Sequence, residues 1–458
     1  MIFDFLLSLN YSEAFLLTSL FLCCVYVIYE SYLNKNWFVL YKPITLYALL
    51  TLFYCVVGPI ISSASGDGSI FYRAVDHREY YQTGLLAALI SFFAFKFGFD
   101  YKNNFSISDY GINKENKYVL DKREYLTLFK WGERTFLFAL ICQFIIFGIG
   151  IINTFVFIGN LDIEVLNVFY QGAFKQFFAV TVNFFILAIS IMFISLLNGV
   201  KEKTKFIFYL SICISTFINL AFRWRFFMLF FPLFLIYFFH KKAKPKIIFL
   251  TSIALSTFLF FGFIQLARTY GTGIDMNKYQ NQKNFLEVQQ SAFSLILKAS
   301  FFDSNVFNTS AGMIYITPSE NNFVGITPVL NAIAVPIPRE IWPEKPTGKY
   351  VNEIYRKIYP GKYWEIGAAS LGFAEYYISG GWIALVTLNF LLGYSYKRLW
   401  IWFFCNFYDP LAQITYATYF SFLFIIYSRG YLLQITFLYF TIFAPLLLIS
   451  YFWNRKFN

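Results

Sequence analysis

Long apolar runs separated by short polar connections dominate the chain. Runs of spanning length occupy residues 14–33, 38–61, 81–99, 135–158, 174–198, 206–222, 226–240, 247–267, 380–396, 411–427 and 431–452. An α-helix needs about 20 apolar residues to cross the hydrocarbon core of a bilayer. The pattern therefore predicts eleven membrane helices, two of them short, and one long interruption at 268–379. The expected fold class is an all-α polytopic membrane protein. Helices one to eight fall in residues 1–267, a large extramembrane loop in 268–379, and helices nine to eleven in 380–458.

Polar positions give this pattern a direction. Lys35 and Lys42, the segment from Lys102 to Lys130, "KEKTK" at 201–205, "HKKAKPK" at 240–246, "YKRLW" at 396–400 and "NRKFN" at 454–458 mark every second connection. Cytoplasmic loops carry the excess of lysine and arginine. The N-terminus and the 268–379 loop are thus expected outside, and the C-terminus inside. The first run lacks a basic flank and a small-residue cleavage site, so it reads as a span rather than a removable signal. Within the loop, "FLEVQQSAFSLILKASFF" (285–302) is amphipathic and is expected to lie along the membrane or against the bundle. The prolines of "TPVLNAIAVPIPREIWPEKPTGKY" (327–350) predict a rigid irregular segment.

Composition narrows the chemistry. With 58% hydrophobic and 14% charged residues, the chain could not hide its apolar surface as a soluble domain. The net charge of +12 follows from the cytoplasmic loops and calls for no nucleic-acid partner. Cys23, Cys24, Cys55, Cys142, Cys213 and Cys405 lie in or beside apolar runs without metal-ligand spacing, and are expected to pack as small hydrophobes. No HExxH, DxD or Walker-type motif occurs, so neither a metal nor a nucleotide cofactor is expected.

Arginine is distributed unlike lysine. Of twelve arginines, eight face outward on the predicted topology: Arg73, Arg78, Arg223, Arg225, Arg268, Arg339, Arg356 and Arg429. Orientation alone disfavours cations there, and arginine rather than lysine suits bidentate binding of phosphate or carboxylate. Arg223 and Arg225 fall at the turn between the two short helices, within an apolar stretch where a central arginine costs at least about 2.5 kcal/mol. Arg268 ends a span, and Arg429 sits in a three-residue outer connection. Four cations at head-group depth suit a lipid diphosphate; snorkelling to phospholipid or pairing with acids accounts for any one of them equally well.

Two groups are candidates for proton transfer. Glu375, in "GAASLGFAEYYISGGWIAL" (367–385), stands where the loop enters the ninth span and could deprotonate a sugar hydroxyl or simply pair with arginine. His77, in "YRAVDHREYY", is a second candidate base or a solvated loop histidine. Tyr376 and Trp382 would suit sugar stacking or an interfacial aromatic belt.

Three segments together resemble one family. "PIPREIWPEKP" (336–346), "SLGFAEYYISGGWIALVTLNFLLG" (370–393) and "SRGYLLQI" (428–435) are similar, in order and placement, to motifs of the Wzy-type O-antigen or oligosaccharide repeat-unit polymerases. The similarity covers roughly 320–435 by motif and the whole chain by topology, with Ala374 standing where the family more often has glycine. It points to Pro338, Arg339, Pro343, Lys345 and Pro346, to Glu375 and Tyr376, and to Arg429 and Gly430. It aligns Arg223 with an arginine between two short central helices and Arg268 with one that opens the large loop.

The resemblance implies polymerisation of undecaprenyl-diphosphate-linked repeat units at the periplasmic face of the bacterial inner membrane. It further implies a C-type glycosyltransferase-like helical fold, no metal, membrane lipids as surroundings and a Wzz-type chain-length regulator as partner. The expected site comprises Glu375, Arg339 and His77 for chemistry, with Arg223, Arg225, Arg268, Arg429, Lys345 and Tyr376 for diphosphate and sugar. O-antigen ligase and lipid-linked oligosaccharide flippase are the competing readings. Scarce histidine weighs against the first, and the single asymmetric outer loop against the second.

Overall fold

The computed structural model describes residues 2–62, 71–72, 75–101, 120–147, 178, 180–219, 223–270, 305–334, 337, 341–342, 344, 348–361 and 369–457. Arg73, the 285–302 patch, Arg339 and Lys345 lie outside these residues.

The described chain is helical: α1 Ile2–Ser8, α2 Tyr11–Leu33, α3 Pro43–Thr51, α4 Gly58–Ser62, α5 Arg78–Asp100, α6 Lys122–Phe147, α7 Phe184–Leu197 and α8 Lys203–Asn219. There follow α9 Arg223–Lys241, α10 Ile247–Tyr270, α11 Val306–Tyr315, α12 Thr327–Ala334, α13 Lys349–Ile358, α14 Gly372–Cys405, α15 Pro410–Ser428 and α16 Leu432–Phe457. A π-helical stretch, Leu52–Val57, joins α3 to α4. Strands β1 Phe71–Tyr72 and β2 Val75–Asp76 form a small antiparallel ribbon ahead of α5. Seven described helices are long and apolar enough to cross a membrane: Tyr11–Leu33, Pro43–Ile60, Arg78–Asp100, Trp224–Lys241, Gly372–Cys405, Pro410–Ser428 and Leu432–Tyr451. Thr181–Leu197 and Ile247–Phe260 are apolar but shorter. This is the character of a multi-pass, all-α membrane protein.

Local chemistry sets the helix starts. Asn10 and Glu13 form a reciprocal capping box on α2, each side chain accepting the other's backbone N–H. Pro43 and Pro410 open α3 and α15, where a missing N–H costs nothing, and the Asp409 side chain accepts from Leu411 N at 2.9 Å. In the interior, α14 packs along α5 so closely that a Cβ on Gly98 would lie 2.0 Å from the Phe390 carbonyl oxygen, and one on Gly393 2.1 Å from that of Phe95. Close helix approach through small residues is how membrane bundles gain packing when water supplies no drive between helices. Between the same helices and α3, the Tyr47 hydroxyl reaches Ser91 Oγ at 2.7 Å and Asn389 Oδ1 at 3.2 Å, so this buried polar group is satisfied.

Three expectations need correction. The segment from residue 327 was expected to be irregular, yet α12 forms over Thr327–Ala334 because Pro328 falls in its first turn and no proline follows before the helix ends. The helix at the fourth apolar run starts at Lys122 rather than residue 135. Asp121 and Glu124 cap it reciprocally, Asp121 accepting from Glu124 N at 3.1 Å and Glu124 from Asp121 N at 2.7 Å. The ninth predicted span extends in both directions, over Gly372–Cys405, with a break at Gly380 and Gly381 where Gly381 takes φ 67°. Glu375 therefore sits in a helical first turn and not in the preceding loop.

Candidate active site

The second and third family-like segments meet backbone to backbone. Gly430 N donates to the Ser370 carbonyl at 2.7 Å, and Ser370 Oγ donates to the Gly430 carbonyl at 3.2 Å. Leu371 N donates to Ser310 Oγ at 2.7 Å, which ties the clasp to α11. A Cβ at residue 430 would lie 2.3 Å from the Leu371 carbonyl oxygen, so only glycine allows this approach.

Glu375 lies beside the clasp. It is 2% exposed, and both carboxylate oxygens are engaged. Leu432 N, the first N–H of α16, donates to Oε2 at 2.7 Å, and the Tyr350 hydroxyl of α13 donates to Oε1 at 2.5 Å. An acid at a helix N-terminus satisfies an otherwise orphan donor and lies favourably in the helix dipole. The Tyr350 phenol is pushed far above the usual tyrosine range, chiefly by burial and next by the Glu375 carboxylate. Burial, and then the same carboxylate, raise Tyr431 to about 12. Both phenols hold their protons at neutral pH. Arg429 is half-buried at the C-cap of α15, three positions before Leu432, and no side-chain bond ties it to a described residue.

Tyr350 also lines a polar cleft of about 370 Å³ with Pro318, Ser319, Asn322, Val324 and Glu353. Across it Lys357 donates to the Glu320 carbonyl and to Asn321 Oδ1, the latter at 3.2 Å. The cleft and Glu375 thus share one side chain.

Arg225 occupies a different place. It is 6% exposed, and its Nε donates to Asn183 Oδ1 at 3.2 Å. Its guanidinium lies 5.0 Å from the centre of the Trp224 ring and 6.0 Å from that of Phe217. Asn183 Nδ2 donates in turn to Thr441 Oγ1 of α16 at 3.0 Å. Thr441 is nine residues beyond Leu432, about 14 Å along the helix axis. Arg225 therefore reaches the same helix as Glu375, but deeper along it.

Other expected groups separate from this pair. His77 is neither a solvated loop residue nor near Glu375. It precedes α5, is 1% exposed, and packs against Tyr80 and Tyr359 at ring distances of 5.5 and 5.9 Å. Tyr350 lies at the start of α13 and Tyr359 caps its other end, nine residues on and about 14 Å away along the axis. Arg78 is structural: it pairs with buried Glu13 at 2.5 Å and donates to the Ser8 carbonyl at 2.8 Å. Arg223 opens α9 and Arg268 lies near the end of α10, but their side chains fall outside the described ones. Tyr376 is half-buried next to Glu375, and Trp382 packs edge-on to Tyr377 at 4.9 Å. Among the described residues no group of three His, Cys, Asp or Glu side chains is placed to hold a metal ion.

Sequence reasoning passed over Tyr350, Asn183, Thr441 and Asn331. The last is 1% exposed in α12, and neither polar atom of its side chain has a hydrogen-bond partner among the described residues. None of the four carries a motif. The one available signal was Asn331 itself, a lone amide within the uncharged run 323–338.

Set against protein-family models, curated proteins and solved structures, the chain finds no match.

Proposed function

We propose that this chain polymerises oligosaccharide repeat units carried on undecaprenyl diphosphate at the outer face of the bacterial cytoplasmic membrane, building O-antigen or a related surface polysaccharide. The observation that carries the reading is the junction at Glu375. Segments 370–376 and 428–432, which the family resemblance singles out separately, close on one buried carboxylate next to a polar cleft sized for sugar.

In the proposed reaction, the bond between the anomeric carbon of the growing chain and its phosphate oxygen breaks. The lipid diphosphate leaves with the electron pair. A hydroxyl of the incoming unit forms the new bond at that carbon, and its proton passes to the Tyr350 oxygen as the Tyr350 proton moves to Glu375. Routing the proton through Tyr350 reconciles an acid–base role with a carboxylate that is almost sealed from solvent. Arg429, three positions before the Leu432 N–H that Glu375 accepts, and Arg225, deeper along α16, supply positive charge for the departing diphosphate, together with Arg223, Arg268, Arg339 and Lys345. Fixed guanidinium groups in a low-dielectric site stabilise developing phosphate charge without a metal. Tyr376 offers its ring to a sugar, and a Wzz-type regulator would set chain length.

Deleting the gene and resolving the surface polysaccharide on a gel tests this reading. A product capped with a single repeat unit is expected. Long polymer left unattached would instead identify a ligase, and absence of any surface repeat a flippase.

A further inference from the structure

Helix α12 belongs to the stretch expected to form a water-facing loop, yet its outer face is apolar. Ile326, Leu330 and Ile333 recur at positions i, i+4 and i+7, one stripe of a helix, with Val329 beside them. Ile326 is 70% exposed and Ile333 65%. The opposite face, Pro328, Asn331, Ala332 and Ala334, is buried. No charged residue occurs from Asn321 to Pro338, and beyond this run Ile341 and Trp342 are exposed as well. An apolar stripe of this kind in water would be an aggregation hazard.

Two attachments set its level. Just before α12, Val324 N donates to the Ile378 carbonyl of α14 at 2.9 Å, and the Phe323 ring packs where a Cβ on Gly381 would lie, 3.2 Å away. That is the break from which the long apolar part of α14 departs. Further on, α12 packs along α16, a helix long and apolar enough to span, which itself exposes Phe440, Leu447 and Leu448. The stripe is therefore continuous with surface that the bilayer covers. We infer that α12 is a membrane-immersed interfacial element whose Ile326–Leu330–Ile333 stripe is covered by phospholipid acyl chains, beside the helix end that Glu375 caps. The inference rests on packing and exposure and stands whether or not the chain is a polymerase.

Photocrosslinking in phospholipid nanodiscs tests it. The full chain carries p-benzoylphenylalanine at one site: Ile333→p-benzoylphenylalanine, Leu330→p-benzoylphenylalanine, or the exposed polar site Asn352→p-benzoylphenylalanine as reference. Mass spectrometry should find at least about tenfold more phospholipid adduct at residues 330 and 333 than at 352, since only an interfacial apolar stripe is held against acyl chains. Val329→p-benzoylphenylalanine replaces either variant that does not insert. Equal adduct at all sites, or crosslinks to a second copy of the chain in place of lipid, would overturn the inference.

Discussion

Glu375 and Arg225 are both charged and both sealed from solvent, at 2% and 6% exposure, but they are held in opposite ways. Glu375 is fixed by short donors on two separate elements, one of them the free N–H of a helix end. Arg225 Nε donates to the Asn183 amide oxygen and its guanidinium faces the Trp224 and Phe217 rings, and that amide is anchored to α16 by Thr441. The acid is held by two directed donors, one on each oxygen. The guanidinium meets an amide and two aromatic rings, groups that carry no net charge. A buried charge therefore reports function only when its partners are known.

Replacing the acid should have the largest effect. Glu375→Ala leaves the Tyr350 hydroxyl and Leu432 N–H unpaired, and each buried orphan costs about 1–3 kcal/mol. Thermal unfolding of the purified protein should show that loss along with abolished polymer. Tyr350→Phe comes next. If the proton passes through the phenol, polymerisation should fall by about 10²-fold or more, the ordinary worth of positioned proton transfer. Unchanged polymer in Tyr350→Phe would reduce Tyr350 to a structural donor. Arg225→Lys loses the directed Nε bond to Asn183, and a hydrogen bond to a charged group is worth about 1.5–3 kcal/mol. A melting temperature equal to wild type would remove Asn183 from the account. Tyr431→Phe should be nearly silent, within about 0.5 kcal/mol, because its hydroxyl makes no hydrogen bond with a described residue.

The helices were largely legible, since apolar runs longer than a bilayer leave few alternatives. Their ends were less so, for physical reasons that differ case by case. The start of α6 is written in Asp121 and Glu124, a capping signal masked by the surrounding lysine and arginine that read as loop. Helix α12 was hidden because proline was weighed as a breaker and not as a first-turn residue. Glu375 was found through its sequence neighbours. Its partner Tyr350 was not, because a tyrosine from another helix carries no local mark among thirty-five in the chain. Likewise Arg225 was found by side and depth, whereas Asn183 and Thr441 lie 42 residues before it and 216 after, beyond any local pattern. His77 was misplaced because polar neighbours suggested water, while tertiary packing buries its ring under Tyr80 and Tyr359.

The central claim is that Glu375 takes part in the chemistry and does more than cap α16. Glu375→Gln separates the two roles, since the amide keeps an acceptor oxygen but cannot take a proton. Expressed in a deletion strain at wild-type membrane level, Glu375→Gln should give single-repeat surface polysaccharide in place of the long ladder. A full-length ladder from Glu375→Gln would contradict the account.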